Sequence, residues 1–236
     1  MRTYKNLVAR ILGGLLLVCT LQSAYAEQLR VVLVTGFEPF GGDITNGSWE
    51  ATQHLDGKHF GNATVVVAQL PVVWGKAEAK LHALIKLHKP VLVVSFGQAG
   101  DEPVRLETTA HNMREKIPDN VGFTPAAGAL DALGPATLNS TLPLAEIEGH
   151  LRKAGIPVQS SEDAGTYLCN AAFYTLMREQ GTDNAKPIPR GFVHVPPLNA
   201  KVKSAQGKAV VFDKTLLEKT AAIIVETSVA TLSRTP

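Results

Sequence analysis

Leu29-Arg30-Val31-Val32-Leu33-Val34-Thr35, followed at once by Gly36-Phe37-Glu38-Pro39-Phe40-Gly41-Gly42, is the stretch that decides the fold of this chain. A long apolar, β-branched run that stops at a turn rich in glycine and proline reads as a buried strand. Thr64 to Gln69, Val91 to Phe96 and Phe192 to Val195 repeat the pattern. Between the runs, Ser48 to Leu55 and Gly75 to Leu87 carry apolar residues at helical spacing, and Pro90 closes the second. Helices are also predicted over Ala145 to Ala154, Tyr167 to Arg178 and Thr215 to Leu232, with a short strand at Val158. Strands alternating with amphipathic helices give an α/β protein whose helices cover a largely parallel sheet.

The chain has 236 residues, 45% of them hydrophobic, which is enough for one large core. A formal charge of +2 with no long like-charge block offers no electrostatic footprint for nucleic acid or an anionic membrane, so a small or neutral substrate fits better. Arg2, Lys5 and Arg10 precede an apolar stretch from Ile11 to Leu21 that is short for a bilayer span, and Ala24-Tyr25-Ala26 is a small-x-small cleavage site. Residues 1–26 therefore read as a secretory signal peptide and 27–236 as a single α/β domain, exported to the periplasm or secreted, without stable membrane insertion after processing. No repeat, low-complexity tract or linker divides that domain.

Removal of the leader takes Cys19 with it and leaves Cys169 as the one cysteine of the mature chain, so no internal disulfide forms. A lone thiol in an oxidising compartment is either buried as a small hydrophobe or kept for its chemistry. In Ala164-Gly165-Thr166-Tyr167-Leu168-Cys169-Asn170 a glycine-led turn runs into a helix whose first residues include the thiol, a position that favours thiolate. His194 ends an apolar strand in Gly191-Phe192-Val193-His194-Val195-Pro196, where an imidazole serves either as a base or as a satisfied structural side chain. Glu107 follows the strand-end loop Gly97-Gln98-Ala99-Gly100 and is either a solvated carboxylate or a partner for that imidazole. Phe37 and Phe40 either wall a flat pocket or plug the core. The histidines show no zinc spacing beside Cys169, and neither a dinucleotide nor a phosphate loop is present, so no metal and no cofactor is expected. Ile117 to Asn139 reads as a long surface excursion, with six Gly or Pro between Pro118 and Pro135.

Taken together, Thr35-Gly36-Phe37-Glu38-Pro39-Phe40-Gly41-Gly42 with Asn46 and Trp49, Gly97-Gln98-Ala99-Gly100, Cys169-Asn170 and Gly191-Phe192-Val193-His194-Val195-Pro196 resemble pyroglutamyl peptidase I, or pyrrolidone-carboxylate peptidase. The resemblance runs from about Arg30 to Pro197 in order and spacing. It implies a three-layer α/β/α sandwich with a central mixed, largely parallel sheet. It also implies a cysteine peptidase that removes N-terminal pyroglutamate from peptides, with Cys169 as nucleophile, His194 as base and Glu107 as its orienting acid. Leu106-Glu107 with His111, Asn112, Asp119 and Asn120 matches the spacing of animal members, whereas Lys116 stands where bacterial members carry arginine. Phe37 and Phe40 would clasp the lactam ring, Gln98 would offer its backbone, and Asn46, Ile117, Tyr167 and Leu168 would complete the pocket. Homo-oligomers fit the resemblance. A catalytically impaired exported homologue that binds pyroglutamyl or amide ligands without cutting them is the alternative.

Overall fold

In a computed structural model, described here for residues 30–179 and 188–232, the apolar runs form a seven-stranded sheet. The predicted leader lies outside the described residues. Strands β1 (Arg30–Phe37), β2 (His59–Phe60), β3 (Ala63–Leu70), β4 (Leu92–Gln98), β5 (Val104–Glu107), β8 (Val158–Ser161) and β9 (Arg190–Val195) pair in the order β2-β3-β1-β4-β9-β5-β8. β3, β1, β4 and β9 run parallel, β5 runs antiparallel to β9, and β8 returns parallel to β5. Two small hairpin sheets lie outside it: β6 (Thr109–His111) with β7 (Thr137–Asn139), and β10 (Ala200–Lys203) with β11 (Ala209–Phe212).

Alternation along each central strand splits the core into two halves. Val32 and Val34 of β1, Val94 and Phe96 of β4 and Val193 and Val195 of β9 face one way, toward Ala51 of α1 (Gly47–Thr52), Ile147 and Leu151 of α3 (Leu144–Lys153) and Leu217 and Ile224 of α5 (Lys214–Leu232). Leu33, Val93 and Phe192 face the other way, toward Leu81 and Ile85 of α2 (Lys76–His88) and Leu168 and Phe173 of α4 (Leu168–Arg178). Helices on both faces of a mixed sheet make the three-layer α/β/α sandwich. On α5, Leu217, Ala221, Ile224 and Ser228 recur at helical spacing and are buried, so its apolar stripe is used within the chain. No helix among the described residues is long and apolar enough to cross a membrane.

Two expectations change. The segment carrying Glu107 reads as a loop in the sequence but is the edge-ward strand β5, whose Val104 and Leu106 enter the core while Arg105 and Glu107 face the α4 side. Four residues give too little periodicity to announce a strand, and pairing with β9 and β8 supplies what propensity does not. The excursion after residue 117 is not simply a surface loop. Asp119 is buried, accepting the backbone N–H of Trp74, Val121 and Phe123, and Asn120 Nδ2 donates to the Pro39 carbonyl at 2.8 Å. The turn therefore folds onto the Phe37 to Phe40 loop.

Candidate active site

Register brings the chemistry together where β4, β9 and β5 lie side by side. Gly97 of β4 and Arg105 of β5 are the two cross-strand partners of His194, and Glu107 is opposite Phe192. Residues two apart on a strand share a face, so Phe192 and His194 project toward α4, as do Arg105 and Glu107. The Phe192 and His194 rings lie 5.0 Å apart at 60°, which restrains the imidazole on one side. Gly97 is required by a close approach: a Cβ there would stand 2.8 Å from Cys169 Sγ and 2.8 Å from the Phe192 ring. The thiol is thus lowered onto the sheet beside His194 because β4 has no side chain at that point.

His194 Nδ1 lies 2.7 Å from Glu107 Oε1, and both groups are buried, with Glu107 fully so. With the carboxylate on Nδ1, Nε2 is the ring nitrogen left for the thiol. Burial pulls the imidazole down, but the charge and side-chain contact of Cys169, reinforced by Glu107, outweigh it and push His194 up to about 9. The protonated imidazole is the form this environment favours. Cys169 itself is partly exposed and opens on a cavity. Sequence reasoning left out Arg105, whose Nε donates to Glu107 Oε1 at 3.1 Å and whose guanidinium also lines that cavity. The alternation Val104-Arg105-Leu106-Glu107 was its one available signal, and it is legible only once the segment is known to be a strand.

The cavity holds about 240 Å³, below the roughly 300–1,000 Å³ common for drug-sized ligands, and suits a small ring. Phe37, Phe40, Asn46, Gln98, Tyr167 and Leu168 line it together with Cys169 and His194, as do Val72, Ala99 and Ala164, which the sequence did not single out. Ile117 is not among the lining residues; its carbonyl accepts the indole N–H of Trp74 at 2.9 Å. Trp74 in turn meets Tyr167 edge-on at 5.5 Å, and Tyr167 Oη donates to the Pro118 carbonyl. Two more open depressions of about 430 Å³, one bearing Arg152 and the other Glu78 and Arg114, contain neither the thiol nor the imidazole.

Several candidate binders are committed to architecture. Asn46 caps α1, its Oδ1 accepting from Ser48 N at 2.9 Å and Ser48 Oγ at 2.6 Å while its Nδ2 donates to the Glu38 carbonyl. Gln98 Oε1 accepts the Gly47 N–H at 2.6 Å, leaving its backbone for other partners. Asn170, beside the thiol, clamps the next segment: its Oδ1 accepts His111 N–H and its Nδ2 donates to the carbonyls of His111 and Met113. Lys116 is exposed and Asn112 ties the excursion together through Asp131. Among the described residues no group of three or more His, Cys, Asp or Glu could hold a metal ion.

The family profile of pyroglutamyl peptidase matches residues 30–230. A pyrrolidone-carboxylate peptidase of Cupriavidus pinatubonensis is 40% identical over 183 residues, covering 77% of this chain and 85% of its own. One from Bacillus velezensis is 42% identical over 167 residues, covering 70% and 77%. Among solved structures, pyroglutamyl peptidase I of Bacillus amyloliquefaciens superposes with a TM-score of 0.76 at 36% identity, covering 85% of this chain and 97% of that one. Pyrrolidone carboxyl peptidase of Thermococcus litoralis does so at 0.78 and 32%, covering 87% and 96%. With the profile spanning almost all of the sandwich, this chain belongs to the pyroglutamyl peptidase family.

Proposed function

We propose that this chain removes N-terminal pyroglutamate from peptides as a thiol peptidase, with Cys169 as nucleophile, His194 as acid and base and Glu107 orienting the imidazole. The observation that carries the reading is the buried Glu107 to His194 contact of 2.7 Å, with His194 facing the partly exposed Cys169 at the mouth of a small apolar cavity.

The thiol proton resides on His194, and Sγ attacks the pyroglutamyl carbonyl carbon. Backbone N–H groups in the first turn of α4, which have no intrahelical partner, including that of Cys169, receive the developing oxyanion. The tetrahedral adduct collapses as His194 gives its proton to the departing amine, leaving a thioester. Neutral His194 then takes a proton from water as the oxygen adds to the acyl carbon, and pyroglutamic acid leaves as the thiolate and imidazolium are restored. No cofactor takes part.

Recognition rests on shape and neutrality. A pyroglutamyl residue has no N-terminal charge, and the lining offers Phe37, Phe40 and Tyr167 rings with backbone polar groups near Gln98. A substrate lacking the lactam would leave those polar groups unpaired, which is the costly kind of mismatch. Export of residues 27–236 after removal of 1–26 is part of the same proposal, motivated by the basic, apolar and small-x-small order of the leader. N-terminal sequencing of the protein recovered from the producing cell tests it: a chain starting at Glu27 supports export, and one starting at Met1 contradicts it.

Release of an N-terminal pyroglutamyl reporter, beside alanyl and prolyl reporters, tests the activity under reducing conditions. Cleavage confined to the pyroglutamyl reporter and lost in Cys169→Ala and Cys169→Ser is the expected result. Binding without cleavage by folded wild type would establish the binding-only alternative, for which the assembled thiol, imidazole and carboxylate provide no motive.

A further inference from the structure

Arg105 touches both members of the buried acid–base pair. Its Nε donates to Glu107 Oε1 at 3.1 Å, one Nη donates to Glu102 Oε2 at 3.2 Å, and the other Nη lies 3.3 Å from His194 Nδ1. His194 Nδ1 uses the same Glu107 oxygen at 2.7 Å, while Glu107 Oε2 is buried without a hydrogen-bond partner. Two donors therefore share one acceptor atom.

This sharing has a consequence for protonation. An arginine has no acceptor and keeps its charge, so when Nδ1 bears a proton the 3.3 Å approach sets donor against donor, and in the imidazolium, with Nε2 protonated too, cation against cation. When Nδ1 is bare, the same Nη can donate to it. Glu107 favours the imidazolium, whereas Arg105 favours the ring without its Nδ1 proton. The other charged groups are few. Cys169 faces the ring from α4, Glu102 reaches the far side of Arg105, β4 contributes no charged side chain, and Glu50 of α1 is turned toward Gln53 and Lys214.

We propose that Arg105 is a positioning residue that competes with His194 for Glu107 and thereby fixes the pH range in which the thiol and its imidazole work. The inference rests on the thiol-peptidase reading for its effect on turnover, but its effect on the resting imidazole does not. Arg105 anchors Glu107 through Oε1, so the carboxylate stays aligned beside the strand, and its charge offsets the pull of thiolate and carboxylate on the imidazole.

The test is NMR titration of labelled histidine in the resting protein, paired with the pH profile of kcat/KM on a pyroglutamyl reporter. Arg105→Met and Arg105→Gln are expected to move the His194 titration and the alkaline limb of the profile upward by about one pH unit, whereas Arg105→Lys holds both near wild type. Glu102→Gln, at an exposed partner, is expected to move the titration downward by a smaller amount and keeps the test open should the uncharged variants not fold. Unchanged titration in every folded variant, or movement in the opposite directions, would overturn the role. Since the titration needs no substrate, variants that shift as expected beside a wild type that cleaves nothing would count against the proposed activity alone.

Discussion

The two walls of the site are built on different principles. The chemical wall, His194, Glu107 and Arg105, is set on two hydrogen-bonded strands, with His194 and Glu107 buried and Arg105 half-buried, so its geometry is inherited from sheet register. The recognition wall has Phe37 at the very end of β1 and Phe40 and Tyr167 on the turns that follow β1 and precede α4. Those turns are held by individual side-chain to backbone bonds: Asn46 to Glu38, Ser48 Oγ to Phe37 N–H, Tyr167 to Pro118 and Asn120 to Pro39. A sheet resists displacement collectively, whereas a pinned loop yields one bond at a time. Substitutions in the first wall should therefore change the rate, and those in the second should change affinity or local order.

The largest effect is expected for the nucleophile. Cys169→Ala should lower kcat by at least about 10⁴-fold while the lactam still binds. Glu107→Gln comes next, with kcat down by about 10²- to 10⁴-fold and KM little changed, because the amide no longer supports the imidazolium. Steady-state kinetics on the folded variants decides both. A Glu107→Gln enzyme that lost affinity rather than rate would break the division between the walls. Across the cavity, Phe40→Ala should raise KM about tenfold with kcat held within a few fold, the scale of one lost aromatic contact.

Stability separates the walls again. Asn46→Ala removes the cap of α1 and is expected to cost about 1 kcal/mol in denaturant unfolding, together with a raised KM as the Phe37 to Phe40 turn loosens. The imidazole contributes in the opposite region of the fold and with a definite sign. His194 is raised from 6.5 to about 9 in the folded protein, so its protonated form favours folding. That contribution is fully present below about pH 6.5 and is lost as pH rises through about 9. Unfolding measured across this window should show the decline, and Cys169→Ala should move it to lower pH by removing the main group that raises the imidazole.

The parallel heart of the sheet was legible because β1, β3, β4 and β9 are long apolar runs bounded by turn residues, and Cys169 and His194 lie at the ends of such elements. β5 was not, since Val104-Arg105-Leu106-Glu107 looks like any loop until β9 and β8 pair with it. Arg105 went unnoticed for the same reason. Asn46 sits directly ahead of a helix, a capping signal available in the sequence, yet its part in holding Glu38 depends on the loop's path. The clasp of Trp74, Tyr167 and Asp119 joins residues more than 40 positions apart, beyond the reach of local pattern.

The most direct test of the central claim is to look for the acyl group itself. Wild type quenched in acid during turnover of a pyroglutamyl ester should carry a pyroglutamyl adduct, mapped by peptide mass spectrometry to Cys169, that disappears as substrate is exhausted. Product formation at full rate with Cys169 unmodified throughout, or an adduct on another residue, would contradict the account.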